Sequence, residues 1–330
     1  MNTARRNGDS VDTNKAADWL RTEAVGDDGA VWSWRSDANP GHAYPEATAL
    51  WLAASCQGAP SLVAPTDQVD HCAARLAADL SSAGGVGRRG TDYLFDSAVA
   101  LRALCAHAGH RDSSAHSEAI EHLYQFIDTM VRNRSAAVPE ANESRWSTGD
   151  NPHQLKVVVG LHSYARLTGN GSALELAETL VARHSPSVAT DHFPSTRSGE
   201  PIYMHAALYA AEGLLYWHQE LRDESCSVDF GGWLSRQQRP DGGIPAWAGD
   251  TEAPAHVDAT AQAVRIWCVE DSSEWAAEIA LALVWLNSMQ SWEGALVYSD
   301  RCDHRNSWAT LFTLQALQWA RSGVRLADIL

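Results

Sequence analysis

Six stretches of this chain share one pattern, and that pattern leaves little choice of fold. They are "YPEATALWLAASC" (44–56), "LFDSAVALRALCAHAG" (94–109), "PHQLKVVVGLHSYARLTG" (152–169), "PIYMHAALYAAEGLLYWHQ" (201–219), "AHVDATAQAVRIWCV" (255–269) and "NSWATLFTLQALQWA" (306–320). Each opens on a helix-start signal, Pro, Asp, Glu, His or Asn. Each then runs on in small and apolar residues on every side. Their starts lie about 50 residues apart, near the upper end of known repeat lengths. A helix that is apolar all round must be buried.

Six amphipathic stretches alternate with these: 11–24, 66–82, 113–134, 172–184, 226–239 and 272–290. Their apolar residues recur at three- and four-residue spacing, with charges on the other side. The sequence therefore predicts an all-α fold, an (α/α)6 toroid of six outer and six inner helices. Residues 11–330 are expected to form this single domain, with 1–10 expected to be a disordered N-terminus. Asp-Gly and Gly-Gly turns, followed by alternation as in "AVWSW" and "ALVYS", predict short hairpins over the mouth. They fall in 26–34, 82–90, 237–247 and 291–300.

A formal charge of −16 without a basic stripe argues against nucleic acid and against anionic membranes. No apolar run approaches the roughly 18 residues of a membrane span. The first residues are polar and lack the apolar core of a signal peptide. The six cysteines form no CxxC pair, which fits reduced thiols in a cytoplasmic protein. A phosphate-binding GxxxxGK[ST], a GxSxG elbow and an HExxH helix are all missing, and no cofactor is expected. Asp300, Cys302 and His304 include zinc-ligand types, but ligands this close in one loop seldom close a tetrahedron, so no metal is expected. The expected partner is a small molecule or oligosaccharide, bound by a monomer or homodimer.

In such a ring the N-termini of the inner helices converge on one funnel. Their unpaired N–H groups and dipoles favour anionic groups there. The side chains at these starts are Tyr44 and Glu46, Tyr93 and Asp96, His153 and Lys156, Tyr203 and His205, His256 and Asp258, and His304, Arg305 and Asn306. Neighbouring loops add Trp34, Arg145, Trp146 and Trp247. Any single acid at a helix start is ordinarily a cap, and a lone histidine there is ordinarily structural. Acids, imidazoles and aromatic rings at the same place in every repeat exceed what caps require. Tryptophan and tyrosine beside carboxylates are a common lining for carbohydrate. Lys156 lies one turn into its helix, where it either faces the funnel or serves as an ion-pair partner.

Two resemblances follow from particular phrases. "WLSRQQRPDGGIPAW" (233–247) resembles the repeat of prenyltransferases and squalene–hopene-type cyclases, although the DxDD acid and the DDxxD metal motif are absent. "AYPEATALWL" and "NSWATLFTLQAL" resemble phrases of sugar-acting toroids, namely the N-acylglucosamine 2-epimerase superfamily and the toroidal domain of glucuronyl C5-epimerases. The first of these implies a proton-exchanging histidine pair, by position His205 and His304. It also implies a glutamate one turn after the first histidine, where this chain has Leu208. The second implies tyrosines and a glutamate, for which Tyr44, Glu46, Tyr93 and Tyr203 are the available types.

The expectation is therefore a carbohydrate-active enzyme that moves a proton on carbon beside a carbonyl or carboxylate, giving epimerisation, isomerisation or β-elimination. His205 and His304 are the expected acid and base. Arg145, Lys156 or Arg305 would hold an acid group, and Trp34, Trp146 and Trp247 would stack the ring. The alternatives are an inverting glycoside hydrolase using Glu46 and Asp258, a terpenoid cyclase or prenyltransferase, and a binding toroid without catalysis.

Overall fold

The computed structural model describes residues 10–39, 41–57, 64–138, 146–188 and 201–330. The outer helices are α1 (Thr13–Trp19), α3 (Thr66–Ala78), α5 (Ser117–Asn133), α7 (Ser172–Val188), α9 (Phe230–Ser235) and α11 (Ala276–Ser288). The inner helices are α2 (Pro45–Cys56), α4 (Leu94–Arg111), α6 (Val157–Thr168), α8 (Met204–Leu215), α10 (Val257–Asp271) and α12 (Ser307–Ser322). Each inner helix packs on the next, and α12 packs back on α2, which closes the ring.

The inner helices are buried almost throughout. Trp51, Tyr209, Trp267 and Phe312 are all fully enclosed, and burying a side chain of this size contributes about 1.5–3 kcal/mol. One hydrophobic core runs from Val11 to Leu330.

Four repeats share a device that ties each layer to the next. A turn glycine with positive φ lies against a backbone carbonyl of the following outer helix: Gly29 at His71, Gly84 at His122, Gly242 at Leu281 and Gly294 at Lys15. The last of these joins the end of the chain to its beginning. Two residues further on, an apolar residue gives its N–H to a hydroxyl in the adjoining inner helix. The pairs are Val31 to Thr48 (3.0 Å), Val86 to Ser97 (3.0 Å), Ile244 to Thr260 (2.9 Å) and Leu296 to Thr310 (3.0 Å). The buried loop donors are thus satisfied by side chains that an otherwise apolar helix would not carry.

Short strands cover the rim. β1 (Trp34–Arg35), β5 (Val297–Ser299) and β6 (Cys302–Asn306) form an antiparallel sheet in the order β1-β6-β5, with Trp34 opposite Asn306. β2 (Gly87–Arg88), β3 (Thr91–Tyr93) and β4 (Ala137–Val138) form the second.

Three elements differ from their sequence expectation. Residues 237–247 form isolated bridges, Tyr203 with Trp247 and Pro245 with Ala255, in place of a hairpin. The third inner stretch begins as a tight 3-10 turn, Pro152–Lys156, before α6. α9 is cut to six residues. Its Gly231–Gly232 pair propagates a helix poorly, and its start is held from outside by Asp229 and Glu270. The Asp229 carboxylate accepts from Gly232 N–H, and Glu270 accepts from Phe230 and Gly231 N–H.

Candidate active site

Four ionisable side chains are buried together at the entry ends of inner helices: Glu46 on α2, Asp96 on α4, His205 on α8 and Asp258 on α10. The first two are not caps. Asp96 accepts a 2.6 Å hydrogen bond from the Tyr44 hydroxyl. Glu46 accepts one of 3.2 Å from the Tyr209 hydroxyl and another from the Trp308 indole. Asp258 accepts from the Ala259 N–H at 2.7 Å with one oxygen. Its other oxygen lies 3.6 Å from His205 Nδ1. His205 Nδ1 also meets Gln262 Oε1 at 2.7 Å. With the Gln262 oxygen accepting from it, Nδ1 carries the proton and the lone pair lies on Nε2. Of the polar residues named above at the starts of the inner helices, Asn306 caps as expected, accepting from Ala309 N–H at 2.9 Å.

Burial disfavours the charged forms of Glu46 and Asp96 and pushes both carboxyls above the usual carboxylate range. For Glu46 the negative fields of Asp96 and Asp258 add to the effect, while the bonds from Trp308 and Tyr209 oppose it. For Asp96 the bond from Tyr44 opposes it. A carboxyl of this kind keeps its proton near neutral pH and can give it to a substrate. Burial also pushes the His153 imidazole down to about 3, so that it is neutral, and lowers His256.

Aromatic rings form two arcs around these acids. In one, His304 stacks on Trp34 at 4.3 Å, Trp34 meets His42 at 6.4 Å, His42 meets Tyr44 at 6.0 Å, and Tyr44 meets Trp308 at 5.7 Å. In the other, Trp247 leans on Tyr203 at 5.2 Å, Tyr203 meets both His205 and His256, and His256 meets Tyr298 at 4.5 Å. Glu46 bridges the arcs, since Trp308 belongs to the first and Tyr209 touches His205 at 4.5 Å. Trp34, Tyr44, Tyr203 and Trp308 are half-buried, and Trp247 is exposed. Tyr93 sits at the junction of β3 and α4, near enough to Tyr44 for their charges to interact.

Two of the three expected anion holders have partners. Lys156 Nζ donates to Glu212 Oε2 at 2.7 Å, both side chains being buried. Burial lowers the ammonium to about 7 against the pull of Glu212. Arg305 is taken by Asp37 at 2.7 Å and Glu293 at 2.8 Å on the rim. Arg145 and the side chain of Trp146 lie outside the described residues. In the loop considered for zinc, the Asp300 carboxylate accepts from Arg239 at 2.8 Å and from Ala255 N–H at 3.2 Å.

Sequence reasoning missed Tyr209, Gln262, Glu212 and Arg265. The first two lie four residues after His205 and Asp258, one turn deeper on the same side of their helices. Glu212 and Arg265 follow further down. The available signal was a polar or phenolic group at that spacing inside stretches otherwise made of Ala, Leu and Val.

No family model matches the chain, and no curated protein matches its sequence. Solved structures do resemble it. An alpha-amylase from Clostridium perfringens is 11% identical over 96% of this chain and 99% of its own, with a TM-score of 0.69. A glycosidase is 11% identical over 95% and 97%, with a TM-score of 0.68. A D-mannose isomerase is 12% identical over 94% and 96%, with a TM-score of 0.67. Likeness at such low identity speaks for architecture, and with the closed ring of paired helices it establishes that the chain is an (α/α)6 toroid.

Proposed function

We propose that this chain is a carbohydrate-active enzyme that hydrolyses a glycosidic bond, with Glu46 as general acid. The observation that carries the reading is the environment of Glu46. It is a buried carboxyl held in its protonated form beside two further acids, with hydrogen bonds from Tyr209 and Trp308 that fix its direction. Asp258 is the proposed base, oriented by Ala259 N–H and His205. A buried acid that keeps its proton and a second carboxyl close enough for its field to reach the first supply the acid and base that glycoside cleavage needs. The half-buried rings of Trp34, Tyr44, Tyr203 and Trp308 offer faces for sugar C–H groups. The fold's occurrence in a glycosidase, an alpha-amylase and a mannose isomerase supports carbohydrate as the ligand class.

The surroundings argue for a neutral sugar over a uronic acid. Lys156 and Arg305, two of the candidates to hold a carboxylate, already have carboxylate partners. The test is a panel of neutral and acidic oligosaccharides incubated with the wild type and with Glu46→Gln. Cleavage of a neutral member, lost in the variant, supports the reading; equal cleavage by the variant removes Glu46 from the role.

Proton transfer on sugar carbon is the second reading. It is favoured by the fixed tautomer of His205, whose Nδ1 is held by Gln262 and Asp258 so that Nε2 can act as base. His304 stands apart from this group on β6, stacked on Trp34. The same panel run in D2O distinguishes the two, because proton transfer adds deuterium to carbon without cleavage.

A further inference from the structure

Beyond the candidate active site the ring buries three cations, and a cavity opens beside one of them. The three are Lys156, Arg265 and Arg102. Lys156 and Arg265 share one carboxylate, Glu212. Arg102 has no ion pair among the described residues. Its one hydrogen bond there is a long one, 3.4 Å from Nη2 to the carbonyl of Ala327. Asp328 and Glu212 attract its charge without bonding to it, Asp328 being paired with Arg325 at 3.2 Å and Glu212 with Lys156 and Arg265. Burial lowers Arg102 only to about 10, so the guanidinium stays charged at neutral pH. A buried charge without a counter-ion is costly.

Arg102 borders a cavity of about 450 Å³ at the end of the ring away from the candidate active site. Its walls include the last turns of α2, α4 and α6 together with the tail at Arg325–Asp328. Arg166, Arg325, His110, Ser163 and Asp328 also line it. Cations in the last turn of a helix ordinarily answer its dipole, and His110 and Arg166 can serve in that way. Arg102 cannot, because it sits more than two turns before the end of α4 at Arg111, beyond the reach of a terminal dipole.

We propose that this cavity is a binding site for a phosphate group, free or carried by a small metabolite, with Arg102 and Arg166 as its charged contacts. Guanidinium groups suit phosphate because they donate parallel hydrogen bonds to two oxygens. The volume falls within the range of small-ligand pockets and exceeds the needs of a bare ion. The site is independent of the reaction proposed above, since it lies at the opposite end of the inner helices.

The test is isothermal titration of the intact protein with inorganic phosphate, with glucose 6-phosphate and with uncharged glucose. Saturable binding of either phosphate is expected, weakened at least about fivefold in Arg166→Ala and abolished in Arg102→Met. Binding by glucose 6-phosphate alone assigns the ligand to an organic phosphate, and binding by both assigns it to the phosphate group itself. Arg166 is exposed, so its variant decides the matter even where Arg102→Met fails to fold. Absence of saturable heat with both phosphates overturns the proposal. So does an affinity that Arg166→Ala leaves unchanged.

Discussion

The Tyr44 hydroxyl donates to Asp96 Oδ2 at 2.6 Å, tying the entry of the first inner helix to the second. This bond opposes the effect of burial on Asp96. Its removal in Tyr44→Phe leaves a buried acid short of a donor and raises the Asp96 pKa further. A loss of about 0.5–1.5 kcal/mol in stability is expected at neutral pH, as for a buried hydrogen bond between neutral groups. Urea denaturation at pH 7 checks it, and an unchanged midpoint would show that water replaces the phenol at no cost.

Glu46 couples stability to pH. Its carboxyl holds the proton more tightly in the folded protein than in the unfolded chain. Its contribution is therefore full below the ordinary carboxylate range and is lost as pH rises through the raised native value. Glu46→Gln removes that loss. The variant is expected to melt above the wild type at pH 9 and close to it at pH 4, while turnover disappears. Thermal unfolding across this range reads the difference, and parallel curves would mean that Glu46 is not held protonated.

Glu212 neutralises two buried cations, Lys156 and Arg265. Glu212→Ala strands both charges and is expected to cost about 3–5 kcal/mol. Lys156→Met leaves Arg265 with the carboxylate to itself and is expected to cost much less. Equilibrium denaturation of the two variants tests the ranking. A KM that rises tenfold in Lys156→Met, with stability intact, would return Lys156 to the substrate.

Gly294 closes the ring with φ +107°, and a Cβ there would lie 2.4 Å from the Lys15 carbonyl oxygen. Gly294→Ala is expected to destabilise by about 1–3 kcal/mol, from backbone strain together with displacement of α1. An unaltered melting temperature would show that the first and last repeats are not mechanically joined there.

The ring was legible because burial imposes composition. A helix enclosed on all sides, such as 306–320, cannot hide that fact in its sequence, and six of them at one period define the closure. The shared Gly-x-Val/Ile/Leu turns at 29–31, 84–86, 242–244 and 294–296 were seen as turns only, because their hydroxyl partners are distant in sequence. The site was legible at its outermost layer. Glu46, Asp96, His205 and Asp258 stand at helix starts, where acids and histidines are conspicuous. Tyr209, Gln262 and Glu212 lie deeper, and single polar letters within apolar runs do not reveal which helix they face. Pairing was not legible at all. Lys156 facing Glu212, and Arg305 facing Asp37 and Glu293, depend on how neighbouring repeats pack. That packing removes two of the three expected holders of an acid group.

The central claim is that Glu46 delivers a proton to a glycosidic oxygen. Proton NMR of the oligosaccharide panel in D2O follows cleavage, the first anomer released and exchange at carbon in one experiment. The account expects a neutral oligosaccharide to be cleaved into a single anomer, with no deuterium on carbon, and expects Glu46→Gln to do neither. Deuterium entering a sugar carbon without cleavage, at the same rate in Glu46→Gln, would contradict it and transfer the chemistry to His205.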